Sequence, residues 1–396
     1  MCKKIEVGIH TYSLYHKISY SEAQSLIESL RKRGYYYPLK DNKWIYNGTY
    51  KSNLYADLGV QIYIYRYYDY SGFSLCITPC SLLKGIYAAA DLYQPTSKNN
   101  RELMDKLNDI LDDLDVKSDS GKTIRADEMS VCRADPCINL YLNSDDELLE
   151  YLRILKKSAL ISHYNADKFE RTSSRVKNIK EANTHSYRIK SKKATFTAYD
   201  KIYEMQQSDR CPDDLNDAHI LRIEAELKRD ALLKRLDKNA TLSNEKLLKS
   251  TEENAVRILV NFLEGLKFGT CTHIRYCNTE TRIKEAKLED KIKDRMLYLI
   301  LKTSDGNLSS ALKKLCSEYN LNYNQCERIL KQFDELCISP VTLQNDSQFE
   351  SLPSLISLLK RYQPDMPKRD NNGFYILEPK GKPTCLRNNV LKDIGG

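Results

Sequence analysis

The chain has 396 residues, 41% apolar and 9% aromatic, enough for two domains with real cores and too apolar for a disordered chain. No run approaches the ~18 apolar residues of a membrane span, and no apolar segment follows the lysines of Met1-Cys2-Lys3-Lys4, so a soluble, cytoplasmic protein without a membrane partner is expected. Net charge is +8, and the twelve cysteines form no Cys-x-x-Cys pair and no zinc-finger spacing, which favours reduced thiols over disulfides or a zinc site.

In chain order, Ile5 to Leu14 alternates as a strand, and Ser21 to Arg33 is predicted helical, with Ala23, Leu26, Ile27 and Leu30 as its apolar stripe. Tyrosine-rich strand material follows through Trp44 and Tyr46. Val60–Tyr68 and Phe73–Thr78 flank Asp69-Tyr70-Ser71-Gly72, a hairpin signal. Pro79 and Ser81 open a helix toward Leu92, and Asn99 to Leu114 is a second amphipathic helix. Met129 to Leu142 is a strand holding Arg133-Ala134-Asp135, in which Pro136 implies an edge position, a bulge or a strand end. Asp145 to Ala159 is helical, with Ser144 and Asp145 as N-cap candidates.

From Leu152 to Lys201 there are thirteen Lys and Arg against four acids. This basic stretch leads into Ala194–Tyr203, predicted as a strand with Thr195, Thr197, Tyr199, Lys201 and Tyr203 on one face. A polyanion would be drawn toward Tyr199, with Arg188, Lys190, Lys192 and Lys193 as the DNA-binding candidates, although a basic loop can also be merely solvated. His219 to Lys228 alternates cleanly, with Leu221, Ile223, Ala225 and Leu227 one way and Arg222, Glu224, Glu226 and Lys228 the other. Beyond Leu236 the chain is mostly helical: Ser243–Leu266, Lys284–Leu301, and a pair, Leu308–Tyr319 and Tyr323–Leu336, with the spacing of a helix-turn-helix. The tail after Pro340, with Pro353, Pro364, Pro367 and Pro383, is expected to be irregular.

If the three central strands are antiparallel neighbours, their polar faces gather Arg133, Asp135, Tyr199, Lys201, Arg222, Glu224 and Glu226. That set suits phosphodiester transesterification. Tyr199 is the candidate nucleophile; Asp135 and Glu224 are candidate ligands for Mg²⁺ or Mn²⁺; Lys201 or Arg222 would neutralise charge at phosphorus. Oxygen ligands fit a hard cation, and there is no His-hydrophobe-His pair to clamp a softer one. Arg133 is expected to pair with an acid behind the site, Glu226 to support it from behind, and Tyr203 ranks second as nucleophile.

The order of these segments resembles the replication initiators of filamentous phages and related plasmids, the gene II/X family, akin to the replication-initiation-factor family of rolling-circle plasmids. The similarity starts at Leu75-Cys76-Ile77-Thr78-Pro79-Cys80-Ser81-Leu82-Leu83-Lys84-Gly85, a strand, Thr-Pro turn and helix ending in Gly. It continues through Arg133-Ala134-Asp135 for Arg-x-Asp, Tyr199-Asp200-Lys201 for Tyr-x-Lys, and Arg222-Ile223-Glu224 for Arg-x-Glu, over about residues 55 to 240. Arg188–Lys193 replaces a Gly-Ser turn common in relatives, and Glu226 stands where some carry a basic residue. The resemblance implies a nick in one strand of a phage, plasmid or integrated-element origin, a 5′-phosphotyrosyl enzyme and a free 3′-OH primer. It also implies a bacterial host cell and work beside the host helicase and polymerase.

The expected fold is α+β: a central antiparallel sheet with helices on one face in a catalytic region 1–240, a helical region 241–345, and a tail 346–396. A conjugative relaxase would use the same chemistry. A DNA-binding regulator using the C-terminal helix pair would leave the polar face as an ion-pair ladder, and an RNA-binding protein would use the tyrosines as stacking platforms.

Overall fold

Alternating segments of β-branched and aromatic residues in the first 230 positions pair as expected into one large sheet. In the computed structural model, residues 2–35, 37–42, 47–118, 121–167, 179–236 and 242–362 are described. Trp44, Tyr46, Lys168, Arg171, Arg175, Lys177, Pro364, Pro367 and Pro383 lie outside them. The sheet strands are β1 (Lys4–Lys17), β2 (Tyr37–Asn42), β3 (Asn47–Ser52), β4 (Val60–Tyr67), β5 (Tyr70–Ile77), β6 (Ser130–Tyr141), β7 (Asn165–Ala166), β8 (Ser186–Lys190), β9 (Ala194–Asp200) and β10 (Ile220–Lys228). Their order is β2-β3-β4-β5-β1-β6-β10-β9-β8-β7, with every pairing antiparallel, so β6, β10 and β9 are neighbours.

Helices intervene as α1 (Tyr20–Lys32), α2 (Pro79–Lys84), α3 (Ser97–Leu114), α4 (Asp145–Lys157), α5 (Ile179–Thr184), α6 (Lys201–Gln207) and α7 (Arg229–Arg235). The C-terminal part is α8 (Asn244–Glu253), α9 (Ala255–Gly265), α10 (Tyr276–Glu285), α11 (Asp290–Asp305), α12 (Leu308–Glu318), α13 (Tyr323–Glu335) and α14 (Leu355–Arg361), with a small pairing of β11 (His273–Ile274) and β12 (Ser351–Leu352). The fold is thus α+β. In α1, Ser19 and Glu22 exchange capping-box hydrogen bonds, and Ala23, Leu26, Ile27 and Leu30 are buried.

One sheet face is apolar. Leu221, Ile223, Ala225 and Leu227 are all fully buried, as the alternation of β10 requires, and burying each large side chain contributes about 1.5–3 kcal/mol. Helix α1 covers β4 and β5, α4 covers β8 and β9, and α8 and α9 lie on β6. Buried side chains between Cys2 and Leu359 pack into one large core, and Ala89, Ala90 and Met205 form a second, small one.

Several expected elements are interrupted. The helix opening at Pro79 stops at Lys84, because Gly85 takes φ +97°, and a 3-10 turn over Ile86–Ala90 follows. Ser243–Leu266 divides at Asn254, whose side chain bonds the Ser250 carbonyl. Lys284–Leu301 divides at Ala286, which turns to extended backbone and lets Leu288 pack on the core. Pro136 is neither at an edge nor at a strand end. It sits inside central β6, opposite Ile9, where β1 bulges before Tyr12, and the β6–β10 pairing skips from Cys137/Glu224 to Ala134/Leu227 because Pro136 has no N–H to donate.

Candidate active site

Register decides what shares the polar face. Glu224 stands opposite Thr197 of β9 and Cys137 of β6, while Arg222 stands opposite Tyr199 and Asn139. Tyr199, Arg222, Glu224, Glu226, Asp135 and Arg133 therefore fall on one face of three adjacent strands. Arg188 and Lys190 of β8 lie opposite Thr197 and Thr195 on that face, and Lys192 and Lys193 form the exposed turn into β9.

At the centre, the Tyr199 hydroxyl donates to Glu224 Oε2 at 3.4 Å. The same oxygen is 2.9 Å from His10 Nδ1. Both side chains of that pair are 18% exposed, and Tyr199 is half-buried. Burial pushes the Glu224 carboxyl up, but His10, Arg222 and Lys201 around it outweigh burial and bring it to about 2, so it is ionised. Burial lowers the His10 pKa against the pull of Glu224. A neutral imidazole then donates its Nδ1–H to the carboxylate and keeps a lone pair on Nε2. Burial, then Glu224, raise the Tyr199 phenol well above its ordinary value while Arg222 opposes them, so the nucleophile candidate is protonated at neutral pH and needs an acceptor for its proton.

Sequence reasoning missed His10. The signal was present: Glu6, Gly8 and His10 alternate with fully or nearly fully buried Ile5, Val7 and Ile9, so a central strand carries polar groups on the reactive face. What hid it was the position of β1, more than a hundred residues from its neighbour β6 along the chain.

The strand bearing Tyr199 does not reach Tyr203. It ends at Asp200, whose Oδ1 accepts the Tyr203 N–H at 3.0 Å and caps α6, a standard role for Asp. Lys201 is thus the first residue of a helix, buried to 2% exposure, with Nζ 2.6 Å from Glu204. Burial and then Arg222 lower its pKa to about 8 against the attraction of Glu204. Tyr203 instead stacks on His185, centroids 4.0 Å apart, and His185 bonds Asp200.

Arg222 and Asp135 also depart from expectation. Arg222 is fully buried, with Nε donating to Asn139 Oδ1 at 2.8 Å, Nη1 to the Ala89 carbonyl at 3.2 Å and Nη2 to that of Ala90. Its guanidinium is held under a roof in which Ala89 and Ala90 pack with Met205 of α6, Cys211 and Leu215. It anchors that roof and lies next to the Tyr199 hydroxyl, where it supplies positive charge. Asp135 is 1% exposed, and both its oxygens accept from Arg133, at 2.9 and 2.5 Å. Burial raises its pKa to about 7 despite Arg133. Arg133 therefore does pair with an acid, and Glu226 joins at 3.3 Å, but that acid is the expected metal ligand itself.

Glu224 and His10 are bonded to each other through Oε2 and Nδ1, which leaves the second Glu224 oxygen as the remaining hard donor of the pair. Among the described residues no group of three His, Cys, Asp or Glu side chains converges. One carboxylate oxygen still suits a Mg²⁺ or Mn²⁺ that keeps water and takes phosphate oxygens for the rest of its shell. No helix among the described residues is long and apolar enough to cross a membrane, and the described cysteines are free thiols. A scan of protein-family models finds no match, and no curated protein matches this chain.

Proposed function

We propose that the chain is a rolling-circle replication initiator that nicks one strand of an origin and joins its 5′ end to Tyr199. The observation carrying this is the Tyr199 hydroxyl on Glu224 Oε2, shared with His10 and set between the cations Arg222 and Lys201. Tyrosines on solvated strand faces do not need an ionised acceptor, a buried guanidinium and a buried ammonium gathered around them, because each costs desolvation.

In the step, Tyr199 Oη forms a bond to phosphorus as the bond from phosphorus to the 3′-oxygen breaks. Glu224 holds the phenol by its hydrogen bond, His10 orients that carboxylate, and the phenolic proton passes to water at the partly exposed Tyr199. The leaving 3′-oxygen takes a proton from Lys201, which carries one at neutral pH and gives it up readily with a pKa near 8. A divalent cation held by Glu224 would polarise the non-bridging phosphate oxygens. Asp135, Arg133 and Glu226 stiffen the neighbouring strand, and Arg188, Lys190, Lys192 and Lys193 attract the DNA backbone. Conjugative transfer would use the same step.

The test is incubation of the purified protein with supercoiled DNA of its own element and Mg²⁺ or Mn²⁺, followed by a denaturing gel. A covalent adduct at a 5′ end supports the proposal. Tight binding with neither nick nor adduct under either metal refutes it and favours a regulator acting through α12 and α13.

The lysine makes a further prediction. Nicking should fall as pH rises through about 8, where Lys201 loses its proton. In Lys201→Arg that descending limb should move upward or vanish, because a guanidinium keeps its proton. An unchanged limb in the variant would remove Lys201 from the proton transfer. Stability should move the opposite way. The unfolded lysine holds its proton to about pH 10.4, so between the two pKa values the unfolded state binds more protons and the folded state gains stability with rising pH. Urea titrations at the two ends of that window check the sign.

A further inference from the structure

Resting on that proposed activity, we infer that Tyr15, Tyr63, Tyr65 and Tyr70, on the same polar face, form a stacking platform for the bases of an unpaired DNA strand on its way to or from Tyr199. Register places them together: Tyr63 lies opposite Ser74, Ser74 opposite Tyr15, and Tyr65 opposite Gly72. The rings of Tyr15 and Tyr70 are parallel within 6° at 5.7 Å, and Tyr65 tilts against both at 6.3 and 6.1 Å.

These rings are held in place. A Cβ on Gly72 would lie 2.6 Å from Tyr15 Cε2, so the glycine is what allows that ring to lie across the sheet. The Tyr15 hydroxyl donates to the Ser71 carbonyl at 3.4 Å, Tyr65 bonds Ser74 Oγ at 3.3 Å, and Tyr63 donates to Gln61. Despite those ties the face is open: Tyr70 is 48% exposed, and Tyr15, Tyr63 and Tyr65 are partly exposed. The opposite side of β4 and β5 is closed by α1, leaving the tyrosine side for a ligand.

The chemistry selects the occupant. Ring faces stack bases, and bases present their faces only when unpaired. Lys17 is exposed at the same end of the sheet, opposite Gly72, so a cation for the backbone borders the rings. Between platform and nucleophile stands Arg133, opposite Ser13 on β1. Counting strands and residues from Tyr15 to Glu224 gives about 20 Å, or roughly six stacked nucleotides. A strand delivered by melting of an origin can occupy both places at once.

The experiment measures binding of the full chain to a fluorescein-labelled, mixed-sequence single-stranded DNA by anisotropy, without metal and at fixed salt. Paired substitutions Tyr65→Leu with Tyr70→Leu should weaken binding about tenfold or more, since the ring faces that stack on bases are lost. Tyr65→Phe with Tyr70→Phe keeps the rings and should bind as the wild type does, and circular dichroism confirms that both proteins are folded. Quenching of tyrosine fluorescence on binding should shrink in the leucine protein only. Unchanged affinity there overturns the platform. So does equal competition by the same sequence as duplex, and tighter binding of the same sequence as RNA replaces the occupant and overturns it too. Two readouts separate the proposals, because the adduct gel reports the chemistry and anisotropy without metal reports the rings. Ring-dependent binding with no adduct under any metal refutes the nickase alone, whereas an adduct with no ring dependence refutes the platform alone.

Discussion

Tyr199→Phe is expected to abolish the covalent adduct and to lower nicking by on the order of a thousandfold or more, since it removes the attacking oxygen and leaves a ring of the same shape. Folding should survive: the lost hydroxyl makes one long hydrogen bond, 3.4 Å, to a carboxylate that keeps His10 as a partner. Tyr203→Phe should leave nicking within a fewfold, because that ring, on α6, is committed to His185. The pair is checked by comparing labelled protein on a denaturing gel after reaction with origin DNA. Adduct surviving in Tyr199→Phe and vanishing in Tyr203→Phe would transfer the role to the second tyrosine and overturn the site geometry argued above.

The second large effect is on stability. Arg222→Met removes a buried cation that satisfies Asn139 and the carbonyls of Ala89 and Ala90, all beneath the roof made by Ile86–Ala90 and α6. Hydrogen bonds from a charged group are worth about 1.5–3 kcal/mol each, and the orphaned acceptors are out of reach of bulk water, so a net loss of about 3 kcal/mol is expected. It would appear as a lower urea midpoint at unchanged slope. Arg222→Lys should recover little, because an ammonium cannot reach three acceptors in the planar fork of a guanidinium. If Arg222→Met instead kept full stability and lost nicking, the guanidinium would be acting on the phosphate rather than holding the roof.

The distribution of legible and illegible features follows from the range of the interactions involved. Alternation in His219–Lys228 and the apolar stripe of α1 are local patterns, and both appear in the fold with the faces expected of them. The pair α12 and α13 also lies where its spacing put it. The stop at Gly85 was legible as a glycine helix end, whereas the breaks at Asn254 and Ala286 were not, since a helical pattern runs through both. At Asp200 the cue was available. An aspartate with a side chain free to cap competes with strand continuation, and here capping wins, which moves Lys201 and Tyr203 off the strand.

For this protein the sequence alone determined the chemical inventory and its faces: Tyr199, Arg222, Glu224, Glu226, Arg133 and Asp135 as alternate residues of strands whose other sides are apolar. Such periodicity is fixed by backbone geometry within a few residues. Only the tertiary structure decided which of those groups meet. Strand order and register brought His10, from the first strand, to Glu224; the carbonyls of Ala89 and Ala90 and the Asn139 side chain closed on Arg222; and Arg133 closed on Asp135. These are contacts between residues up to about two hundred positions apart, and their energies depend on desolvation and on which partner comes within hydrogen-bond reach, quantities that exist only once the sheet has assembled.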